Sequence, residues 1–418
     1  MSVLIEKLLP ETAGEDVGGF GALRRTAQKV LMQHGFPNRK TENWKYLPLG
    51  LLEKRTFSDS GSVPTQVPEP PEFPFEAGVI HFHNGQVDPE RCRLPDGVTL
   101  TGMLPDDIDV SVLDDSSPAD AFAWLNLARF DQGWKLRVEG QPEVPLVLVT
   151  TCDDDCDDNR DDNRDDNREF AIHPRVKLEL AANSSLTLIE FQHAAGAGLI
   201  NCVLDLDLAA RSSLVHIIDR WFDETALIQR TTARLGDDAE YNAFVLDGGG
   251  RLTRQDLVAE LQAPGAHAGI FGVAVLSGAS MVDYHSTISH RVGGTRSREN
   301  FRILADDRAV GVFNGRIHIV RGADDSHSQM NTGNLLLSET ARINTKPELE
   351  IHAEDVTASH GATIGQLDDT ARFYLRSRGL SDSQAIALLK FGFAAAVFDS
   401  MAPGPLQDWM VGRLKEHL

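Results

Sequence analysis

The chain has 418 residues, of which 41% are apolar and 24% are charged, so it is long enough to bury a large hydrophobic core. Acidic residues outnumber basic ones by 62 to 40, and the formal charge of −22 argues against a surface for nucleic acid or anionic membrane, because phosphate binding needs clustered Lys and Arg. The 4 cysteines are too few and too scattered for a disulfide framework, so reduced thiols and a cytoplasmic location are expected.

Residues 1–57 are predicted to form an N-terminal helical region. The stretch GGFGALRRTAQKVLMQHGFP places Ala27 and Leu31 on one helix face, and Gly35 ends the helix. Acidic residues within MSVLIEKLLPETAGED argue against a secretory signal, and no apolar run approaches the length of a membrane span. Residues 58–76 are rich in Pro and polar residues, which predicts an extended connector.

Residues 77–367 are predicted to form strands, because short stretches alternate apolar and polar residues and no long helix is expected before residue 368. One pattern recurs, in which an apolar residue is followed by a turn of small or polar residues and then by a new strand. The apolar markers of this pattern are Leu180, Leu208, Leu235, Leu261, Leu276, Leu304, Leu337 and Ile351. Their spacings lie near one or two units of about 14 residues, which predicts a right-handed parallel β-helix. A β-sandwich with regular turns is the alternative, but sandwiches seldom repeat one strand–turn pattern so often.

An acidic low-complexity insert, Cys152–Glu169, interrupts this region with the sequence CDDDCDDNRDDNRDDNRE. Asp and Asn favour turns and like charges repel, so the insert is predicted to be a mobile, solvated loop. It lacks the Gly and Glu positions of a calcium-binding EF-hand loop. Iron binding by Cys152 and Cys156 is the alternative interpretation.

Residues 368–418 are predicted to be helical. Ser381 and Gln384 form a capping box at the start of one helix, and Leu406 and Met410 lie on one side of the next. Such helices can cap the open end of a solenoid or offer a docking face to a partner.

The sequence carries no phosphate-binding loop, no G-x-S-x-G elbow and no H-E-x-x-H motif, so no enzymatic activity is predicted. Some β-helix proteins cleave carbohydrates with clustered carboxylates, which makes a carbohydrate-active enzyme one alternative. The acidic pairs Asp306–Asp307 and Asp324–Asp325 are interpreted instead as turn formers. His81 and His83 share one face of a strand and are interpreted as a stacked or solvated pair, with metal chelation as the alternative.

Two segments carry a family resemblance. KPELEIHAEDVTASHGATIGQLDDTARFYLRSRGLS, from Lys346 to Ser381, resembles the C-terminal signature of the SufB/SufD family of iron–sulfur cluster assembly proteins. PNRKTENWKYLPL, from Pro37 to Leu49, resembles the N-terminal signature of the SufD branch. The resemblance implies a non-catalytic scaffold that pairs with a SufB-like paralogue and binds a SufC-like ABC ATPase.

The resemblance also implies roles for individual residues. His360 matches the histidine of the family's A-S-H-G-A-T run, which lies where two β-helices meet, so it is a candidate metal or cluster ligand shared with the paralogue. The segment from Asp368 to Phe398 matches the helices that dock on the ATPase. The docking residues expected there are Phe373, Tyr374, Arg376, Arg378 and Phe391.

The cysteines set a limit on this role. No cysteine follows Cys202, and iron–sulfur clusters are normally held by Cys thiolates, so most soft ligands are expected from the paralogue. We therefore expect no cofactor held stably by this chain alone and a transient cluster at the shared interface.

Two further alternatives concern the partners. The first is a purely structural solenoid that binds another protein through its C-terminal helices. The second, for the chain on its own, is a homodimer formed through an exposed strand edge at the end of the solenoid.

Overall fold

A computed structural model describes residues 3–9, 18–59, 71–152, 169–194 and 196–418 of the chain. Its helices are α1 (Val3–Leu8), α2 (Gly21–His34), α3 (Gly50–Glu53), α4 (Ala121–Arg129), α5 (Asp369–Ser377), α6 (Asp382–Ala395) and α7 (Pro405–Glu416). Its strands are β1 (Phe57–Asp59), β2 (Gly78–His83), β3 (Gln86–Val87), β4 (Val98–Gly102), β5 (Gly133–Val138), β6 (Leu146–Cys152), β7 (Glu169–Ile172), β8 (Arg175–Leu180), β9 (Ser185–Ala194), β10 (Gly198–Leu208), β11 (Ser213–Phe222), β12 (Ala226–Leu235), β13 (Glu240–Asp247), β14 (Leu252–Leu261), β15 (His267–Leu276), β16 (Met281–His290), β17 (Arg296–Ala305), β18 (Val310–Ile319), β19 (Ser326–Leu336), β20 (Arg342–Ile351) and β21 (Val356–Gly365).

The strands form two sheets, and from β8 onward successive strands of the chain alternate between them. The first sheet runs β20-β18-β16-β14-β12-β10-β8-β5-β4, and the second runs β21-β19-β17-β15-β13-β11-β9-β6-β2-β3. From β8 onward each pair of consecutive strands makes one coil, and about seven coils stack in parallel. This confirms the predicted mainly β architecture, a parallel β-solenoid with helices at both ends of the chain.

The register explains the period found in the sequence. Leu180 pairs with Leu208, Leu208 with Leu235, and Leu235 with Leu261, so these markers form one column of the first sheet. Ile351 ends the same column. The unit of about 14 residues is therefore one strand with its turn, and two units complete a coil.

A repeated turn keeps the coils in register. The residue that turns the chain from the first sheet to the second has a positive φ in six successive coils, at Asn183, Arg211, Asp238, Gly265, Gly294 and Asp325. Its backbone N–H donates to a carbonyl of the next coil, as in the bond from Asp238 to Pro264. Because Gly, Asn and Asp adopt this conformation at low cost, the small and polar turn residues of the sequence are accounted for.

Side chains that point inward fill the solenoid with one continuous core, which includes Leu206, Leu235 and Ile270. The outer faces of the two sheets are also covered. Apolar residues of the first sheet, such as Ile228, pack against the N-terminal helices and α4. Those of the second sheet, such as Phe271, pack against α6 and α7.

The two ends of the solenoid differ. At the N-terminal end, the antiparallel strands β3 and β4 complete the two sheets. At the C-terminal end, β20 and β21 are edge strands, and within the described residues no further strand pairs with either of them. The C-terminal helices lie on the outer face of the second sheet and do not close this end.

Helix α4, which is short, lies inside the region 77–367 that was predicted to form strands. Eight of its nine residues are buried, from Ala121 to Ala128, so its sequence shows no polar face that would indicate a helix. Much of the predicted connector 58–76 and of the acidic insert Cys152–Glu169, including Cys156, lies outside the described residues. Among the helices that are described, none is both long and apolar enough to cross a membrane.

Candidate functional site

The open C-terminal end of the solenoid is formed by the last coil, β20 and β21. In a parallel ladder, paired residues point to the same side of the sheet. His360 of β21 pairs with Met330 of β19, and Met330 belongs to the inner core. The imidazole of His360 therefore faces the solenoid axis, yet it is exposed because no further coil covers it.

The surroundings of His360 are apolar or small. By the same register, the inward-facing positions of the last coil hold Ile343, Thr345, Pro347, Leu349, Ile351, Val356, Ala358, His360, Ala362 and Ile364. His360 is the one titratable side chain in this set. Ile351 and Ile364 are 39% and 46% exposed, whereas the corresponding residues of the inner coils are buried. The end of the solenoid thus presents an uncovered apolar surface with one imidazole in it, flanked by two unpaired strand edges.

A second uncovered surface is the hairpin of α5 and α6, directly after β21. Asp368 caps α5, and Ser381 and Gln384 form the predicted capping box of α6 with bonds of 3.2 Å and 2.8 Å. None of the nine residues of α5, all of which are described, is buried. An amphipathic helix with no buried residue has its apolar face available to a partner.

The five predicted docking residues are placed in different environments. Phe373 and Tyr374 are 72% and 54% exposed. The guanidinium of Arg378 lies 5.1 Å from the centre of the Tyr374 ring, and Arg376 forms a 3.6 Å ion pair with an aspartate of α6. Phe391 is only half-exposed, because it packs on α7 with the Lys415 ammonium 5.1 Å from its ring. The hairpin therefore brings Phe373, Tyr374 and Arg378 to one surface and turns Phe391 toward the protein.

The N-terminal signature segment anchors the helical region to the solenoid. The Trp44 ring stacks on the ring of Phe122 in α4, with 5.3 Å between their centres. The guanidinium of Arg254 lies 4.0 Å from the centre of the Trp44 ring and donates a hydrogen bond to the carbonyl of Asn43. The same guanidinium forms a buried 2.9 Å ion pair with Asp283. The part of this segment around Trp44 thus has a packing role.

The other titratable groups singled out in the sequence have structural partners. His81 and His83 both contact the hydroxyl of Thr151, at 2.7 Å and 3.0 Å. Asp307 and Asp324 accept hydrogen bonds from backbone N–H groups of turns in the neighbouring coil, as expected of turn formers. Each of these four side chains thus has a hydrogen-bond partner within the solenoid.

The described cysteines are poorly suited to hold a cluster. Cys152 and Cys202 are buried, and Cys92 is half-buried. Burial raises the pKa of both Cys92 and Cys202, which disfavours the thiolate that iron requires.

The sequence analysis missed a polar cluster inside the solenoid. Glu190 accepts hydrogen bonds from His216 at 2.9 Å and from Gln229 at 3.0 Å, and His216 also contacts the Tyr241 hydroxyl at 3.0 Å. Burial alone would raise the pKa of Glu190, but its hydrogen bonds and nearby positive charges lower it. Polar residues at inward positions of strands, such as Glu190 and Gln192 in IEFQH, are the signal that could have revealed it.

Comparison with known proteins identifies the family of the chain. The family model for the SUF system FeS cluster assembly, SufBD core domain, matches residues 163–393, more than half of the chain. The chain belongs to the SufBD family. This match includes all seven coils of the solenoid, His360 and helix α5.

SufBD relatives extend the similarity to almost the full length. The iron–sulfur cluster assembly protein SufD of Escherichia coli is 28% identical, over 93% of this chain and 90% of that protein. A SufBD family protein of Synechocystis is 26% identical, over 94% of this chain and 89% of that protein. The SufD protein of Bacillus subtilis is 38% identical over a shorter segment, which covers 23% of this chain and 22% of that protein. The chain is thus a SufD-like member of the SufBD family of iron–sulfur cluster assembly proteins.

Proposed function

We propose that this protein is a non-catalytic scaffold subunit in iron–sulfur cluster assembly, which works in the cytoplasm with a SufB-like paralogue and a SufC-like ATPase. The observation that carries the proposal is the open last coil, where an uncovered apolar surface with two unpaired strand edges holds one imidazole, that of His360. A stable monomer gains nothing by leaving such a surface exposed, so a partner is expected there.

The paralogue completes the site at this end. A second solenoid that adds its own edge strands to β20 and β21 covers Ile351 and Ile364 and encloses His360. A neutral imidazole is a good ligand for iron, but this chain has no cysteine after Cys202. The paralogue therefore supplies most of the soft ligands, and the cluster is held transiently between the two subunits.

The ATPase binds the α5–α6 hairpin. Phe373 and Tyr374 offer two exposed aromatic rings, and Arg378 lies beside one of them, which is the composition typical of binding hot spots. The hairpin follows β21 directly in the chain, so a movement of the ATPase is transmitted to the strand that carries His360. Nucleotide-driven closure of the ATPase would then open or close the interface between the solenoids.

The proposal is tested by expressing the chain together with a SufB-like and a SufC-like protein. We expect a co-purified complex that assembles a cluster when iron and sulfide are supplied. The His360→Ala variant should retain the complex, because Ile351, Ile364 and both strand edges remain available to the paralogue, but it should lose most of the cluster assembly. His327→Ala is the matched control, because His327 is also exposed but points to the outer face of the neighbouring strand β19.

The outcomes separate two functions. Loss of cluster assembly in His360→Ala alone supports a scaffold that takes part in the cluster site. Unchanged assembly in both variants would support a purely structural solenoid, and failure of the three proteins to co-purify would contradict the proposed partners.

A further inference from the structure

A group of metal-ligating side chains lies on the outer face of the first sheet, away from His360. His318, near the end of β18, pairs with Glu350 of β20, and His352 follows two residues after Glu350. Because alternate residues of a strand share a face, the three side chains are neighbours on one surface. Among the described residues they form the one group of three His, Cys, Asp or Glu side chains with converging donor atoms.

The donor atoms converge on one carboxylate oxygen. Oε1 of Glu350 lies 3.0 Å from Nε2 of His352 and 3.8 Å from Nε2 of His318, and all three atoms are within 4.8 Å of one another. Two ligands bound at about 2.0–2.1 Å to a tetrahedral metal ion lie roughly 3.3–3.4 Å apart. The two distances to Glu350 bracket that value, and the two imidazole nitrogens lie within 4.8 Å of each other. His318 is half-exposed and His352 is exposed, so rotation of the two imidazoles can bring all three atoms to binding distance.

The carboxylate is held in the orientation that a metal site requires. Arg316 donates a hydrogen bond to Oε2 of Glu350, which leaves Oε1 directed at the two imidazoles. An outer partner that fixes a ligand in this way is a regular part of metal sites.

We propose that His318, Glu350 and His352 form a binding site for one divalent transition-metal ion. Two imidazole nitrogens and one carboxylate oxygen are the donors of Zn²⁺ and Fe²⁺ sites, whereas Mg²⁺ and Ca²⁺ prefer oxygen donors alone. Three protein ligands leave at least one coordination position for water or for a group of a partner. The site lies on the isolated chain, so it does not depend on pairing with the paralogue.

The test is titration of the full-length, metal-free chain, without an affinity tag, with Zn²⁺ and with Co²⁺. We expect one saturable equivalent by calorimetry, and a Co²⁺ spectrum with the d–d bands of nitrogen and oxygen ligation but without a thiolate charge-transfer band. His318→Gln, Glu350→Gln and His352→Gln should each weaken binding by at least roughly tenfold. All three side chains are half-exposed or exposed, so the variants should keep the wild-type urea midpoint.

Two control variants define the site. His267→Gln removes a half-exposed histidine that lies 3.6 Å from a single carboxylate, Glu240, and His360→Ala removes the imidazole at the open end. Neither should change the titration. The inference is overturned if the wild type shows no saturable equivalent, if a thiolate band appears, or if the three Gln variants bind as the wild type does. Loss of binding in His360→Ala would place the metal at the open end and would also overturn it.

Discussion

Glu299 and Glu190 are two carboxylates inside the solenoid with opposite pKa shifts. Glu190 is surrounded by hydrogen-bond donors of neighbouring strands, which keep it ionised despite complete burial. Glu299 of β17 is also fully buried, but its surroundings offer little compensation. Burial raises the pKa of Glu299 to about 7, and the neighbouring Ser286 hydroxyl offsets only part of the effect. The chain therefore carries a buried acid that titrates near neutral pH.

Glu299 makes stability depend on pH, and Glu299→Gln should remove that dependence. Between pH 4.5 and 7 the folded state holds the Glu299 proton more tightly than the unfolded state does, so the wild type loses stability as pH rises. The full cost, on the order of 3 kcal/mol, is reached above pH 7. We expect Glu299→Gln to raise the urea midpoint at pH 8 and to leave it nearly unchanged at pH 4.5.

The exposed Glu90 provides the control for this measurement. Glu90→Gln changes the same functional group at the surface and should shift neither midpoint. If Glu299→Gln destabilises the protein equally at both pH values, the Glu299 carboxylate has a specific structural partner and the proposed titration is wrong.

At the level of strands and helices, the sequence pattern predicted the strands and the coils, and it did not reveal helix α4, which is buried on all sides. The alternation of apolar and polar residues marked most of the strands, and the repeated turn marked the coils. In β15, HAGIFGVAVL, the alternation is lost because one face fills the solenoid and the other lies under α6 and α7. Helix α4 was missed for the same reason.

The sequence predicted only those parts of the candidate site that lie within one short segment of the chain. The resemblance identified His360 and α5, but the open end of the solenoid depends on where α6 and α7 pack, and apolar stripes do not specify which surface they cover. The cluster of His318, Glu350 and His352 depends on the register of β18 and β20. Residues 318 and 350 are far apart in the chain, so no spacing in the sequence indicates that they meet.

Helix α5 gives a prediction about partner binding. Replacing both Phe373 and Tyr374 by Ala should weaken binding of the SufC-like ATPase by on the order of 30-fold or more, because aromatic residues of this exposure are typical hot spots. The stability of the chain itself should change little, since α5 buries no residue. Pull-down and calorimetry with the purified ATPase measure the first effect, and urea unfolding measures the second.

Truncation of an exposed apolar residue on another surface is the control. It distinguishes the loss of specific docking contacts from a general loss of exposed apolar area. Leu104→Ala removes a side chain that is 66% exposed near the N-terminal end of the solenoid, and it should leave ATPase binding unchanged. Equal binding by the wild type and the Phe373/Tyr374 variant would exclude this face of α5 as the docking surface.

At the scale of the whole molecule, the difference between the two ends of the solenoid limits how the protein can associate. In a stack of coils each coil is stabilised by its neighbours, so a terminal coil needs a cap. The antiparallel strands β3 and β4 cover the first end. The last coil, β20 and β21, has a neighbour on one side only, and both of its strands keep an open edge. The same surface that suits a paralogue therefore suits a second copy of the chain.

In the absence of the paralogue, we expect the purified protein to form a homodimer through the open end. Two copies related by a twofold axis can pair their β20 and β21 edges and cover Ile351 and Ile364 against each other. Light scattering coupled to gel filtration should give about twice the monomer mass of 45.8 kDa at micromolar concentration.

Ile364→Lys places two like charges in this interface, because each copy contributes one, and should yield the monomer. Leu104→Lys introduces the same charge at a similarly exposed apolar position and should leave the dimer intact. A wild type that stays monomeric, or a dimer that tolerates Ile364→Lys, would mean that the last coil is stable without a cap and that its exposure does not drive association.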